Sequence, residues 1–364
     1  MWQSTGSPLW LGVVAAAGGL PLLPLLWWRS AWLARIDAKP SLVRAQAAAA
    51  GLALASAALV MAGVAHPLVL LGVALAFGVV NAVEAPLMQA WLIDAGATPS
   101  RGVAGVSLVI NATRCLAPAL AVGLIEAGGP ALGFLFNAAT YLPLLLVLRR
   151  TPCRRAQGGG TQFVRPTLAA LSANRAVLVR LAALGVLAVP AISQLPALVP
   201  AGGALRSFGA LISALGLGAT LAAAAFCWRP GWIESARALP WGGGLFCLSL
   251  LRLVFDGAGW VAWGWALVGG AALSWALAGA NRVLQSGGHG MARAQRSALY
   301  LALTVGLVPL GQLALASLAQ AIGSRQAVAG AALLCLLVLG LSARWPQAAG
   351  GQDGRRCEAG AAQS

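Results

Sequence analysis

Glu84 and Arg114 are charged residues that the sequence places far inside long apolar segments. Glu84 lies eight residues from the nearer end of segment 68–92, and Arg114 lies eleven residues into segment 103–126. At 1.5 Å per helical residue, these positions are about 12 Å and about 16 Å deep. A charge at such a depth in a bilayer costs roughly 2.5–3.5 kcal/mol and indicates a function or a charged partner. Two interpretations stay open: Glu84 takes up and releases a proton opposite Arg114, or the two residues form an ion pair that locks two helices together.

Amide side chains inside apolar segments are a second set of candidates. Asn137 opens one segment. Asn281 and Gln285 lie at the end of another, one helical turn apart. Amides at membrane depth hydrogen-bond across helices, and they can equally bind a polar group of a substrate. The sequence does not decide between these two roles.

Composition shows which elements must position these side chains. Of the 364 residues, 60% are hydrophobic and 9% charged, and the mean hydropathy is +0.83. This balance excludes a water-soluble domain, which is about 25% charged. The apolar runs are continuous rather than alternating, so they predict membrane-spanning helices instead of a β-barrel. We expect an all-α polytopic membrane protein with eleven spans: 10–28, 43–65, 68–92, 103–126, 129–148, 176–200, 206–228, 239–257, 258–280, 298–320 and 325–343.

The net charge of +16 is distributed unevenly between alternate loops. Arginine and lysine concentrate in loops 29–42, 149–175, 229–238 and 281–297 and in the C-terminal tail, whereas the opposite loops hold only Arg206 and Arg325. The positive-inside bias therefore predicts a cytoplasmic C-terminus and an external N-terminus in a bacterial inner membrane. The same bias explains the basic clusters without nucleic acid, which we do not expect as a partner.

Metal, cofactor and enzymatic chemistry find little support in the residue types. The six cysteines form no CxxC pair, there are two histidines, and the eight acidic residues are scattered singly. Membrane enzymes concentrate such groups on one face for acid–base or metal chemistry. We therefore expect no metal, no cofactor and no enzymatic activity.

The chain divides at one basic, glycine-rich linker. We expect a bundle of five spans at 1–148, a cytoplasmic linker at 149–175, a bundle of six spans at 176–345 and a disordered tail at 346–364. The two halves also share a pattern, in which a Gln ends one span, an Arg follows in the loop and a Pro lies in the next span. In the first half these residues are Gln89, Arg101 and Pro118, and in the second half they are Gln285, Arg293 and Pro309. Parallel repeats of this kind are a transporter architecture.

The stretch from Phe77 to Leu148 carries a more specific pattern. An acid and a proline precede a glutamine, an asparagine is followed by an arginine and a proline, and a further asparagine opens the next span: Glu84, Pro86 and Gln89; Asn111, Arg114 and Pro118; Asn137. This stretch resembles helices four to six of major facilitator superfamily transporters, in the branch of enterobactin-exporter-like efflux proteins. The second half is similar more loosely, through Asn281, Gln285, Arg293, Tyr300 and the run from Pro309 to Gly311.

The resemblance implies two helical bundles, normally of twelve helices, that export a small siderophore-like or drug-like amphiphile by alternating access. No nucleotide-binding loop is present, so the energy would come from an ion gradient, and we expect protons as the coupling ion. Nothing in the sequence demands more than a monomer. Glu84 and Arg114 become candidates for coupling. Residues that line the cavity or bridge helices would be Gln89, Asn111, Asn137, Trp263, Asn281 and Gln285. Trp263 and its neighbouring tryptophans form an aromatic wall for a substrate, or pack against lipid or another helix.

Two departures from the family pattern favour an alternative. The family places Thr-Gly-Ser after its first helix, here at Thr5 to Ser7, so the first helix is expected to be missing. In the gating loop after the second helix, only Arg35 and Asp37 remain of the usual motif. The alternative is therefore a degenerate or truncated member that acts as a scaffold or sensor without transport.

Overall fold

The computed structural model describes most of the chain as helices. Within the described residues, helices and their connecting turns are the regular structure, and no strand occurs. The described residues are 5–24, 37–64, 66–94, 99–151, 175–199, 204–229, 231–234, 237–256, 259–286, 296 and 299–342. The predicted all-α polytopic fold is confirmed.

The helices follow the predicted apolar segments closely. Nine helical stretches of the described residues are long and apolar enough to cross a membrane, and a tenth, Pro8–Pro24, is shorter. Each predicted span has a helical counterpart because backbone groups in hydrocarbon must be satisfied within the segment itself. The helices are α1 (Pro8–Gly19), α2 (Ala38–Met61), α3 (Pro67–Asp94), α4 (Pro99–Arg150), α5 (Arg175–Leu198), α6 (Ala204–Trp228), α7 (Ala238–Asp256), α8 (Trp260–Ser286), α9 (Leu299–Ile322) and α10 (Ser324–Ser342).

Helix α4 contains two of the predicted spans and reverses direction between them. Gly128 and Gly129 leave the helical conformation, and Gly129 has a φ of 74°, which glycine adopts without steric cost. The predicted boundary between segments 103–126 and 129–148 falls at this point. We call the parts before and after it the first and second arms of α4.

Helices α5 and α9 are interrupted rather than uniform. In α5 an α-helical start is followed by a π-helical turn, Leu184–Ala188, and a 3-10 segment, Val189–Gln194. In α9 a π-helical turn, Ala302–Gly306, precedes the α-helix Val308–Ile322. The hydropathy pattern of the sequence does not predict these interruptions.

The helices pack as two groups that meet along two seams. Helices α1 to α4 contact one another, as do α5 to α10, and the seams are α1 against α9 and the first arm of α4 against α6. Small residues allow the close approach: a Cβ at Gly12 would overlap Ala316 across the first seam, and one at Gly209 would overlap Val122 across the second. The linker prediction at 149–175 stays a prediction, because most of that stretch lies outside the described residues.

Candidate functional site

The Glu84 carboxylate is bound by an amide from the neighbouring helix. Gln46 on α2 donates its side-chain N–H to Oε1 of Glu84 on α3 at 2.6 Å. Gln46 is 1% exposed although it is polar, so its amide is committed to the protein interior. A buried amide in hydrocarbon is costly unless it is hydrogen-bonded, and this contact provides that bond.

The second arm of α4 completes a polar cluster around this carboxylate. The side chains of Asn137 and Tyr141 are hydrogen-bonded to each other, and Tyr141 lies close enough to Glu84 to interact with its charge. We call Gln46, Glu84, Asn137 and Tyr141 the Glu84 cluster. It joins three helices of the first group, α2, α3 and α4.

The members of the Glu84 cluster lie at a common depth. Gln46 is eight residues from the Ala38 end of α2, Glu84 ten residues from the Asp94 end of α3, and Tyr141 nine residues from the Arg150 end of α4. At 1.5 Å per residue these positions are about 12–15 Å from the same end of the bundle. The cluster therefore lies well inside the apolar layer.

The arrangement can hold a carboxyl group in either protonation state. An ionised carboxylate only accepts hydrogen bonds, and the Gln46 N–H donates one here. A protonated carboxyl donates one hydrogen bond, which the oxygen of the same amide can accept after the amide rotates by about 180°. Such a group can keep a hydrogen bond to Gln46 when it binds and when it releases a proton.

Sequence reasoning singled out Glu84 and Asn137 but missed Gln46 and Tyr141. Gln46 is the single amide in segment 43–65, and a lone amide inside an apolar segment is the signal that identifies such a residue. Arg114, the predicted partner of Glu84, has a side chain outside the described residues. The same holds for the side chains of Gln89, Asn111 and Gln285 and for Arg35.

The other predicted candidates lie apart from the Glu84 cluster. Trp263 is 44% exposed near the start of α8, and Asn281 is half-buried near its end. Asp37, one of the two predicted gating-loop remnants, is exposed directly before α2. Their predicted roles stay predictions.

Three polar contacts join the two helix groups at one end of the bundle. Ser7 donates its hydroxyl to Gln320 at 2.9 Å, joining the start of α1 to α9. Gln194 on α5, which is fully buried, donates to the carbonyl of Pro8 at 3.2 Å. Arg206 on α6 pairs with Glu126 on α4 in an exposed ion pair. We call this end of the molecule the Ser7 end.

Arg180 is a buried charge that the sequence analysis overlooked. It is 1% exposed on α5, and it donates from Nε to the hydroxyl of Ser342 at 2.8 Å and from Nη2 to the Ser342 carbonyl at 2.5 Å. These bonds satisfy a carbonyl at the C-terminal end of α10, where helix carbonyls have no partner in the helix. Its role is to hold the first turns of α5 to the end of α10.

Among the residues with described placement, no group of three or more His, Cys, Asp or Glu side chains is arranged to hold a metal ion.

Comparison with known proteins places this arrangement in context. The model of the family described as transmembrane secretion effector, MFS_3, matches residues 1–353. The solved structure of the nucleoside transporter NupG is similar, with a TM-score of 0.68, 14% identity, and coverage of 93% of this chain and 90% of that one. A bacterial homologue of the human lysosomal transporter Spinster has a TM-score of 0.66, 13% identity, and coverage of 93% and 88%. A comparison with curated protein sequences finds no match. At these identities the structural likenesses show the fold.

Proposed function

The chain belongs to the transmembrane secretion effector family of the major facilitator superfamily, and from this membership we propose that it exports a small amphiphilic compound in exchange for protons. The family consists of membrane transporters, so the protein is a secondary transporter by class and not an enzyme. Siderophore-like or drug-like cargo is the finer part of the proposal. It is supported by the resemblance of Phe77 to Leu148 to enterobactin-exporter-like proteins.

The observation that carries proton coupling is the hydrogen bond between Gln46 and Glu84 at membrane depth. Ionisable residues within membrane spans mark ion and proton pathways when they face the bundle interior. Glu84 is half-buried, and its described partners include no cation. A carboxyl group in these surroundings suits a proton carrier that is neutralised and recharged during a cycle.

Alternating access requires the Ser7 end to open. The contacts between the two groups, Ser7 with Gln320, Gln194 with Pro8 and Glu126 with Arg206, lie there. Each is a neutral hydrogen bond or an exposed ion pair, which contributes little net stability and can be exchanged for contacts with water. The proposed cycle breaks these contacts when substrate leaves and remakes them when the protein resets.

The proposed orientation places the Ser7 end outside the cell. It is supported by the concentration of arginine in the loops of the opposite end. We also propose a monomer in a bacterial inner membrane. The expectation about the family's first helix is tested by the intact mass of the natively expressed protein, compared with 36.7 kDa for this sequence.

The experiment is transport by purified protein in proteoliposomes under an imposed proton gradient. The probes are a fluorescent lipophilic cation and a catecholate siderophore, with a pH dye inside the vesicles to record proton flux. Glu84→Gln should abolish gradient-driven movement of probe and of protons and leave the yield of folded protein unchanged. Asp256→Asn is the matched control, because Asp256 pairs with Arg252 at the end of α7, far from the cluster.

Two results would change the proposal. Gradient-driven transport that survives Glu84→Gln would remove Glu84 from the mechanism and leave the transporter class intact. Wild-type protein that moves neither probe nor protons would favour the alternative of a scaffold or sensor, to which the altered gating loop around Arg35 and Asp37 also points.

A further inference from the structure

Helices α5 and α9 lose their α-helical form where they contact each other. The π-helical turns are Leu184–Ala188 in α5 and Ala302–Gly306 in α9. Single π turns inside a helix are uncommon and mark positions where the hydrogen-bond ladder is weakened. The two π-helical turns contact each other, so both helices have weakened hydrogen bonding at the same level, which we call the hinge plane.

Glycines bring the two backbones into direct contact at this plane. A Cβ at Gly185 would overlap the carbonyl oxygen of Leu303, and a Cβ at Gly311 would overlap the carbonyl oxygen of Val186. The nearest atoms at these points belong to the backbone of the opposite helix, and at Gly311 the ring of Pro190 lies beside them. The pair can therefore bend together here without repacking large side chains.

Proline removes hydrogen bonds next to both π turns. Pro190 has no N–H, so it cannot donate a hydrogen bond to the carbonyl of Val186, four residues earlier. In the same way, Pro309 cannot donate to the carbonyl of Val305. Proline inside a helix removes this bond and kinks the helix. Both helices are thus weakened on the side of the π turn that faces the Ser7 end.

The two sides of this plane make polar bonds to different partners, while both sides also pack against α10. Beyond it, the segments Val189–Leu198 and Val308–Ile322, which we call the distal segments, bond to α1 through Gln194 with Pro8 and Gln320 with Ser7. Before it, the start of α5 is held to α10 by the buried bonds of Arg180. Each side therefore has its own anchor.

We propose that the distal segments of α5 and α9 bend as one unit about the two π-helical turns when the Ser7 end opens. The inference rests on the proposed alternating-access function. It adds that the second group does not move as one rigid body, because its distal segments move relative to α7 and α8. A bend of about 10° over the 15 residues of Val308–Ile322, a lever of roughly 22 Å, displaces its tip by about 4 Å.

Spin-label distances in lipid nanodiscs test the proposal on the full chain, with accessible cysteines replaced. The hinge pair is Ile322→Cys with Phe255→Cys, exposed ends of α9 and α7 within the second group. The group pair is Met61→Cys with Phe255→Cys, which spans the two groups at the Ser7 end. A third pair, Arg175→Cys with Trp228→Cys, monitors the opposite end of the second group. Each pair is measured in the wild type and after Ser7→Ala with Glu126→Gln, which weakens the Ser7 end contacts.

The hinge predicts a second population in the hinge pair, displaced by about 4 Å, together with a change in the group pair and none in the third pair. If the group pair changes and the hinge pair does not, rigid movement of the whole second group overturns the hinge and leaves the proposed function standing. If the group pair does not change either, alternating access itself is contradicted and the hinge with it.

A stiffened hinge gives a second, independent test. Pro309→Ala restores an N–H donor next to the π turn of α9, and it should reduce the displaced population of the hinge pair and lower the transport rate severalfold. Gly330→Ala on α10 is the control, since a Cβ there meets open space. Pro309→Ala protein that folds and shows an undiminished displaced population would overturn the proposal.

Discussion

The contact between Gln46 and Glu84 makes a quantitative prediction about folding stability. Replacing Gln46 by Leu leaves the carboxylate without its amide donor, and replacing Glu84 by Leu leaves a buried amide without its acceptor. A hydrogen bond to a charged group contributes about 1.5–3 kcal/mol in soluble proteins. In membrane proteins, double-mutant cycles average about 0.6 kcal/mol, with a maximum of about 1.7. Because the bond measures 2.6 Å and Gln46 is 1% exposed, we expect a coupling near the upper end, about 1–1.7 kcal/mol.

The assay is a double-mutant cycle on the free energy of unfolding, measured by steric trapping in bicelles. It compares the wild type, Gln46→Leu, Glu84→Leu and the double variant. Gln326→Leu is the matched control, because Gln326 is an exposed amide on α10. Its effect should stay within about 0.5 kcal/mol. The double variant should be more stable than the sum of the single changes predicts, since it leaves neither partner unpaired.

Additivity would refute this reasoning. If the two single effects add to the double effect within about 0.3–0.5 kcal/mol, the residues are not energetically coupled. The Gln46 amide would then not be a working partner of the Glu84 carboxylate, and its proposed part in holding both protonation states would fail.

Two further predictions concern helix pairing. If Arg114 is the charge partner of Glu84 that the sequence predicts, Arg114→Leu should lower the membrane yield of folded protein, and adding Glu84→Gln should restore it; a combined variant with no recovery would separate the two residues. Gly218→Ala should destabilise the protein by about 1–3 kcal/mol in an unfolding assay, because its Cβ would overlap the backbone of Leu267. Gly330→Ala, with open space around it, should be neutral or slightly stabilising, and equal effects at both positions would contradict the packing argument.

The parts of the fold that the sequence predicted depend on local properties. The spans are set by hydropathy, which each segment carries by itself, and the reversal in α4 coincides with Gly128 and Gly129 because glycine adopts the required conformation. The depth of a residue is likewise estimated from its position along a single helix. Glu84 was predicted to lie inside the apolar layer from its distance along one helix, and in the structure it lies ten residues before the end of α3.

The partners of Glu84 could not be predicted in this way. The sequence suggested Arg114, whose side chain lies outside the described residues, whereas the structure shows Gln46 bonded to the carboxylate and Tyr141 close enough to interact with its charge. Which residue faces Glu84 depends on the rotation of α2 and α4 about their axes. That rotation results from the packing of small residues on several helices at once.

For this protein, the sequence by itself determined the all-α membrane class, the approximate positions of the membrane helices that the structure describes, and a carboxylate within one of those helices. Each of these follows from the transfer of a single segment from water to hydrocarbon, a property of that segment's own residues. Only the tertiary structure decided that Gln46 binds Glu84, that Arg180 holds the end of α10, and that α5 and α9 are interrupted where they touch. These features depend on contacts between residues far apart in the chain, since a hydrogen bond or a backbone approach exists only once both helices are in place.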